Sequence, residues 1–344
     1  MIQKVYYPYF DYVRLAAASV VMFGHDNLID WPGSGKIAVD VFFALSGWLI
    51  GGILINTKRE GLPRFYFNRA IRIWVPYLLT LLLIVIASLM KEPITDKWVE
   101  FIIYKLTFVY NIFGTPQIGE FKAAMPLEGT GNHFWSINAE EQFYLLAPIL
   151  LVVVSRYGRN IALWAMLAVG AWYMHKYAPI YLGVLAALIV DKYGDFHKTA
   201  VARMILVGTV IVSFTGFIYG TDYRDYSPAF SIALVLLLAI PGKENPVGKF
   251  LGGISYPLYL NHWIGVFIAN ALFKLLSIPH SIVTIILAVI LGYLIAIVLY
   301  IAIDRPLLSR RGILFTTHRA KFAMFTGYAL VSIGILYGLS INSL

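Results

Sequence analysis

Arg14 and His25 are ionisable residues of the first apolar segment of the chain, in the run DYVRLAAASVVMFGH. On an α-helix their spacing brings them to nearly the same face, about 16 Å apart along the axis. Charged and titratable groups are costly inside a membrane and mark functional sites by default. Histidine suits general-base catalysis, because its ordinary pKa lies near physiological pH. The alternative is structural: Arg14 reaches the lipid headgroups and His25 lies at the interface.

A second group of polar residues lies in the run HFWSINAEEQFYLL. Four of its side chains fall on one helical stripe: His133, Ser136, Glu140 and Tyr144. Glu141 points about 100° away from that stripe. Two adjacent carboxylates in an apolar segment are difficult to explain as structure alone. Either glutamate, if held against His25, would orient the ring and stabilise its protonated form, and the sequence does not say which one.

A basic run, KREGLPRFYFNRAIR, precedes the third apolar segment. Arg69 and Arg72 share a helix face, and Lys58 and Arg64 come before them. Guanidinium groups bind phosphates strongly, and cations at the start of a helix oppose its dipole and so need another reason. A phosphate-binding site is therefore expected here. The alternative is the general excess of basic residues in cytoplasmic loops.

Two further motifs contain small or polar residues. In VDVFFALSGWLIGG, the residues Ser46, Gly47, Gly51 and Gly52 predict close helix packing. In SYPLYLNH, His262 either lines the same cavity as the other polar groups or bonds a neighbouring helix. Because no histidines and carboxylates show metal-ligand spacing such as HExxH, no metal is expected.

Composition places these motifs in a polytopic membrane protein. The 344 residues are 60% hydrophobic and 13% charged, with a mean hydropathy of +0.75. The absence of cysteine excludes disulfides and a thiolate nucleophile. The net charge of +9 is typical of basic loops that face the cytoplasm and anionic lipids, so no nucleic acid partner is expected.

The apolar segments predict an all-α transmembrane bundle of about eleven helices. They cover roughly 9–29, 36–56, 72–90, 134–155, 160–175, 178–191, 201–219, 227–241, 255–277, 281–303 and 322–341. Most of the 27 lysines and arginines then fall on the N-terminal side of the membrane, which places the N-terminus in the cytoplasm. The longest connecting segment, about 91–132, is expected outside, with the aromatic stretch 98–113 lying along the interface.

These motifs together resemble acyltransferase family 3, the bacterial integral-membrane acyltransferases. The resemblance runs from about Tyr9 to Pro306 and rests on DYVRLAAASVVMFGH, VDVFFALSGWLI, FNRAIRIWVPY, HFWSINAEEQFYLLAP and ISYPLYLNH. Near its end, Asp304 in DRPL stands where the family usually has glutamate. The resemblance implies a ten-helix acyltransferase domain over 1–310, followed in 311–344 by a cytoplasmic connector and one extra transmembrane helix.

The resemblance also implies substrates and a place in the cell. The donor is acetyl-CoA or a related acyl-CoA, which approaches from the cytoplasm. The acceptor is a hydroxyl of a glycan or lipid-linked sugar, such as exopolysaccharide or O-antigen. The expected location is the bacterial inner membrane, with membrane lipids and glycan-assembly proteins as further partners.

Site residues are carried over by position. His25 matches the essential histidine of the family, with Arg14 as its partner on the helix. Arg69 and Arg72 match the pair near the CoA phosphates. The paired glutamates correspond to Glu140 and Glu141, and the expected substrate or oxyanion contacts are Arg14, His133, Ser136, Tyr144 and His262.

The resulting hypothesis is an O-acetyltransferase in which His25 removes the proton of the acceptor hydroxyl. Two other classes remain open. A transporter or flippase for a lipid-linked or acidic substrate would use the same buried charges as a binding site, and it would not bind CoA. A structural subunit of a glycan-assembly complex would tolerate the loss of the His25 imidazole.

Overall fold

A computed structural model describes residues 5–26, 28–29, 31, 33–219 and 222–342. This part of the chain forms helices and contains no strand, as predicted. The helices of ten or more residues are α1 (Pro8–His25), α2 (Ser34–Ile55), α3 (Leu62–Leu89), α4 (Asp96–Leu106), α5 (Trp135–Pro148), α6 (Ile161–Tyr173), α7 (Ala178–Tyr193), α8 (Ala200–Tyr219), α9 (Ser227–Leu238), α10 (Pro246–Leu275), α11 (Ile282–Leu299), α12 (Arg305–Leu314) and α13 (Thr317–Asn342). One π-helical turn, Ile149–Val153, follows α5, and another, Tyr300–Asp304, joins α11 to α12.

Five helical stretches are long and apolar enough to cross a membrane: Ser34–Ile55, Arg59–Leu89, Ala200–Tyr219, Ile282–Leu314 and Thr317–Asn342. The chain is therefore a multi-pass membrane protein. Each of the eleven predicted segments contains a helix, while the count of eleven spans and the cytoplasmic N-terminus remain predictions.

Two helices begin roughly two and a half to three turns before their predicted starts: the one expected from residue 72 begins at Leu62, and the one expected from residue 255 begins at Pro246. The segment expected from residue 255 begins at Pro246, because proline is well suited to the first helical position. The side chain of Asn245 accepts a hydrogen bond from the Val247 N–H at 3.0 Å and caps the helix. This N-terminal signal lies outside the apolar stretch, so hydropathy alone did not find it.

One compact unit comprises Met1–Thr57 and Ile149–Val298, and so contains α1, α2 and α6 to α11. In it, α2 crosses α7 at close range. A Cβ on Gly47 would collide with the backbone carbonyl of Ile180, and one on Gly51 would lie 3.2 Å from Val184. The predicted packing role is confirmed for these two glycines and was wrong for Gly52, which faces open space.

The other compact unit comprises Lys58–Pro148 and Leu299–Leu344, and so contains α3, α4, α5, α12 and α13. A stripe of small buried residues lets α13 approach its neighbours: Ala320, Ala323, Gly327, Gly334 and Gly338. The hydroxyl of Tyr328 donates to the carbonyl of Leu145 at 2.8 Å and lies 2.7 Å from the Tyr66 hydroxyl. The C-terminal helix thus belongs to the core of this unit, and the predicted division at residue 310 stays a prediction.

One face of the segment expected to lie along the interface packs inward, while its position at the interface remains a prediction. Phe101, Tyr104 and Tyr110 are fully buried. Asn138 of α5 accepts a hydrogen bond from the Tyr110 backbone N–H at 2.9 Å, and Asn138 also donates to the Tyr77 hydroxyl at 3.1 Å. These polar anchors hold the aromatic side chains in the protein core, where their apolar rings are removed from lipid and water alike.

Candidate active site

The first unit holds two histidines in direct contact, His25 and His262, which we call the imidazole pair. His25 is the last residue of α1 and is exposed, whereas His262 lies buried in the middle of α10. Nδ1 of His25 lies 3.0 Å from Nε2 of His262. Nδ1 of His262 in turn lies 3.1 Å from the carbonyl oxygen of Tyr259 and 3.2 Å from that of Leu258. The backbone of α10 therefore holds His262, and His262 holds His25.

Small and polar residues bring the neighbouring helices close to this pair. The hydroxyls of Ser19 in α1 and Tyr293 in α11 lie 2.6 Å apart. A Cβ on Gly292 would lie 3.7 Å from the His262 Cα and 3.1 Å from the sulfur of Met22. The three helices α1, α10 and α11 thus meet around the imidazole pair. Gly265 lets α10 approach α11 closely, because a Cβ there would collide with the Ala288 carbonyl oxygen.

Arg14 makes its ion pair within its own helix. Its Nη1 lies 3.1 Å from Oδ1 of Asp11, one turn earlier in α1. The Tyr6 hydroxyl also donates to Asp11. Sequence analysis missed this acceptor, although the spacing of three residues is a known signal for an ion pair on one helix face. The side chain of Arg14 is 21% exposed, and its expected role toward substrate remains a prediction.

The second unit brings the glutamate pair together with Arg69. Glu141 is buried and Glu140 is half-buried on α5, and both lie within electrostatic reach of the Arg69 guanidinium. That guanidinium lies 5.9 Å from the ring centroid of Tyr144. The indole of Trp74 neighbours Glu141, yet neither its Nε1 nor Oε2 of Glu141 completes a hydrogen bond of normal geometry. Arg69, which was expected to bind the CoA phosphates, and the two glutamates, which were expected to be catalytic, therefore lie in one cluster.

Basic residues collect near the start of α3. Arg69 and Arg72 are joined by Arg311 of α12, whose charge repels that of Arg69. Arg72 faces the carboxyl of Asp304, and the Arg64 guanidinium lies 4.3 Å from the Phe315 ring centroid. Lys58 is exposed just before the first turn of this region.

Among the described residues, the carboxylates nearest this arginine cluster form no ion pair with it. Within the described residues, no carboxylate oxygen lies within 4.0 Å of a nitrogen of Arg69, Arg72 or Arg311. The Nε atom of Arg69 is buried without a hydrogen-bond partner. Guanidinium groups gathered in this way repel one another, so the arrangement fits a bound anion such as a phosphate. Sequence analysis found Arg69 and Arg72 and missed Arg311, which comes 239 positions after Arg72.

His133 and Ser136 lie at the entrance to α5. His133 is buried, and the Ser136 hydroxyl donates to the His133 carbonyl at 3.2 Å. The preceding loop adopts left-handed backbone at Leu127, Glu128 and two glycines, a conformation that is costly for residues with a Cβ. The Ser136 hydroxyl is occupied by its hydrogen bond to the backbone. The expected substrate contacts of His133 and Ser136 remain predictions.

Comparison with known proteins gives a consistent result. The pattern of the family described as "Acyltransferase domain" matches residues 7–301. BcsY of Komagataeibacter xylinus, named as a membrane-bound transacylase, is 28% identical over 291 residues, which cover 75% of this chain and 72% of that protein. The peptidoglycan O-acetyltransferase OatA of Listeria monocytogenes is 23% identical over 324 residues, 76% of this chain and 49% of the relative.

The O-acetyltransferase OatA of Staphylococcus aureus is 25% identical over 373 residues, which cover 95% of this chain. The match spans 61% of that relative, so both OatA proteins are considerably longer than the matched region. No solved structure matches the chain. Because the family pattern covers most of its length, the chain belongs to the acyltransferase-domain family and is an acyltransferase.

Proposed function

We propose that the protein transfers an acetyl group from cytoplasmic acetyl-CoA to a hydroxyl of a cell-surface or lipid-linked glycan at the bacterial inner membrane. The observation that carries this proposal is the imidazole of His25, which is exposed while His262 holds one of its nitrogens at 3.0 Å. An accessible, oriented imidazole in an acyltransferase is suited to act as general base. The names of the OatA relatives support a glycan hydroxyl as the acceptor.

In the proposed reaction, His25 removes the proton of the acceptor hydroxyl as its oxygen attacks the thioester carbonyl. The tetrahedral intermediate then collapses, the carbon–sulfur bond breaks, and the CoA thiolate leaves and takes the proton from His25. The products are the acetyl ester and CoA. Because the chain contains no cysteine, we favour this direct transfer over an acyl-enzyme. We propose Arg14, His133 and Tyr144 as candidates to stabilise the oxyanion.

The donor part of the proposal rests on the arginine cluster. Arg69 and Arg72 bind the phosphates of CoA, with Lys58 and Arg64 adding positive charge. This assignment is supported by the lack of carboxylates within ion-pair distance of Arg69 and Arg72 in the described chain. We propose Glu140 and Glu141 as catalytic carboxylates that balance positive charge in the site. Their closeness to the Arg69 guanidinium supports this role.

The test uses purified protein in nanodiscs with radiolabelled acetyl-CoA and an extract of lipid-linked glycan. The wild type should release CoA and label the glycan fraction. His25→Ala should bind acetyl-CoA and release none, and Arg72→Ala should bind it at least tenfold more weakly. His280→Gln, which changes an exposed histidine, is the matched control and should behave as wild type.

Two outcomes would contradict the proposal. Acetyl transfer by His25→Ala at the wild-type rate would show that His25 is not the base. A wild-type protein that binds no acetyl-CoA would show that the donor is wrong. The transport hypothesis would then be tested by following movement of the lipid-linked glycan between the two leaflets.

A further inference from the structure

The contacts of His262 determine where its proton lies. Its Nδ1 faces two backbone carbonyl oxygens of its own helix, at 3.1 and 3.2 Å. Carbonyl oxygens only accept hydrogen bonds, so Nδ1 must carry a hydrogen and donate it. In a neutral imidazole the other nitrogen is then unprotonated. Nε2 of His262 is therefore an acceptor, and it is the atom that faces His25.

The same reasoning extends to His25. Since Nε2 of His262 accepts, Nδ1 of His25 must carry the hydrogen that lies in the 3.0 Å contact. The ring centroids lie 5.2 Å apart, which is close to the largest separation that this nitrogen contact allows. The two nitrogens therefore point at each other along the line between the rings, and the N–H···N bond is nearly straight. In neutral His25, Nε2 is then the unprotonated nitrogen.

We infer that His262 is a positioning residue that fixes the tautomer and orientation of His25, so that Nε2 of His25 is the base. It serves as the carboxylate does in a Ser-His-Asp triad, where the third group accepts from Nδ1–H and holds the ring. The catalytic part of this inference rests on the function proposed above. The tautomer itself follows from the contacts alone and is tested without any acyl transfer.

The pair also provides for the positive charge that forms during the reaction. When Nε2 of His25 takes the proton of the acceptor hydroxyl, both of its nitrogens carry hydrogen, and the bond from Nδ1 to His262 becomes charge-assisted. The proton stays on His25, because a positive charge on the buried ring of His262 would lose its hydration. The Nε2 lone pair of His262 then stabilises the positive charge of the His25 imidazolium through this hydrogen bond.

The tautomer is measured by nitrogen NMR on protein labelled with ¹⁵N-histidine, in nanodiscs, at a pH where both rings are neutral. The signals of His25 are identified by their loss in His25→Gln, and those of His262 by their loss in His262→Gln. We expect His25 to show a protonated Nδ1 and an unprotonated Nε2. In His262→Leu the share of this tautomer should fall, whereas His280→Gln should leave it unchanged. A wild-type tautomer in His262→Leu would overturn the inference.

Kinetics with acetyl-CoA then test the positioning role. His262→Gln keeps an oxygen that accepts from Nδ1–H of His25, so kcat should fall by about tenfold or less. His262→Leu has no acceptor, and kcat should fall by about 10²–10⁴, with the affinity for acetyl-CoA unchanged. Equal losses in the two variants would indicate a merely structural role and overturn the inference. A wild type that transfers no acetyl group would refute the proposed function, while the NMR result would still decide the tautomer.

Discussion

Replacing Lys105 by methionine should stabilise the protein at neutral pH. Lys105 lies in α4, outside the membrane-spanning helices, and is fully buried. Its Nζ donates to the carbonyl of Thr130 at 3.1 Å and lies 5.0 Å from the ring centroid of Tyr110. None of the described carboxylates lies within 4.0 Å of it. Burial lowers the pKa of Lys105 from 10.5 to about 7, because a buried ammonium loses its hydration.

The size and sign of the effect follow from proton linkage. Between pH 7 and 10.5 the unfolded chain keeps the Lys105 proton that the folded protein has lost, so stability rises with pH in this range. At roughly 1.4 kcal/mol for each pKa unit, burial costs about 4 kcal/mol at pH 7 and about 2 kcal/mol at pH 9. Loss of the hydrogen bond to Thr130 offsets about 1 kcal/mol of the gain at either pH. Lys105→Met should thus be more stable by about 3 kcal/mol at pH 7 and about 1 kcal/mol at pH 9.

The assay is equilibrium unfolding in detergent at pH 7 and pH 9, with wild type and Lys105→Met compared at each pH. The difference in unfolding free energy between the two proteins removes the contributions of all other titrating groups, because both proteins contain them. Lys122→Met, which changes an exposed lysine of the same connecting segment, is the matched control and should show no such difference. A stabilisation by Lys105→Met that is equal at both pH values would refute the reasoning, because the protonation of Lys105 would then not change between them.

Two further predictions concern the donor site and the packing of α2. Arg311→Ala should weaken CoA binding by about tenfold in calorimetry, since it removes one cation of the arginine cluster; equal affinities of Arg311→Ala and of the exposed control Arg310→Ala would contradict this. Gly47→Ala should lower the free energy of unfolding by roughly 2 kcal/mol or more, because its Cβ meets the carbonyl of Ile180. Gly52→Ala should be neutral or stabilising by up to about 1 kcal/mol, since open space surrounds Gly52. Thermal unfolding of Gly47→Ala and Gly52→Ala, each compared with wild type, tests both expectations.

The helices were predictable because their signals are local. Apolar length found every long helix of the first unit, and the small residues Gly47 and Gly51 predicted a close crossing. The inward packing of α4 was not predictable in the same way. Its aromatic residues suit a membrane interface as well as a protein core, and its contacts come from distant residues, as in the hydrogen bond that the Tyr77 hydroxyl donates to the Lys105 carbonyl at 2.8 Å.

In the site, too, the sequence predicted the residues but not the contacts between residues that are distant in the chain. The sequence motifs identified His25 and His262, yet 237 residues separate them and no periodicity relates them. Arg14 illustrates the opposite case. Its spacing from His25 suggested a shared role, but its ion pair is with Asp11, a neighbour that the sequence places three residues away. Residue types in a motif predict which chemistry is available, whereas the partners that fix tautomer and charge depend on how helices meet.

A neutral partner for His25 has a physical advantage in this setting. A carboxylate at the position of His262 would hold a permanent negative charge in the buried middle of α10, and an unpaired buried charge costs several kcal/mol. The imidazole of His262 sets the same tautomer through a lone pair and is neutral at rest. Charge then enters the pair only when the acceptor hydroxyl gives up its proton, and it leaves when CoA takes that proton away. The cost of a charge at this depth is thus confined to the lifetime of the intermediate.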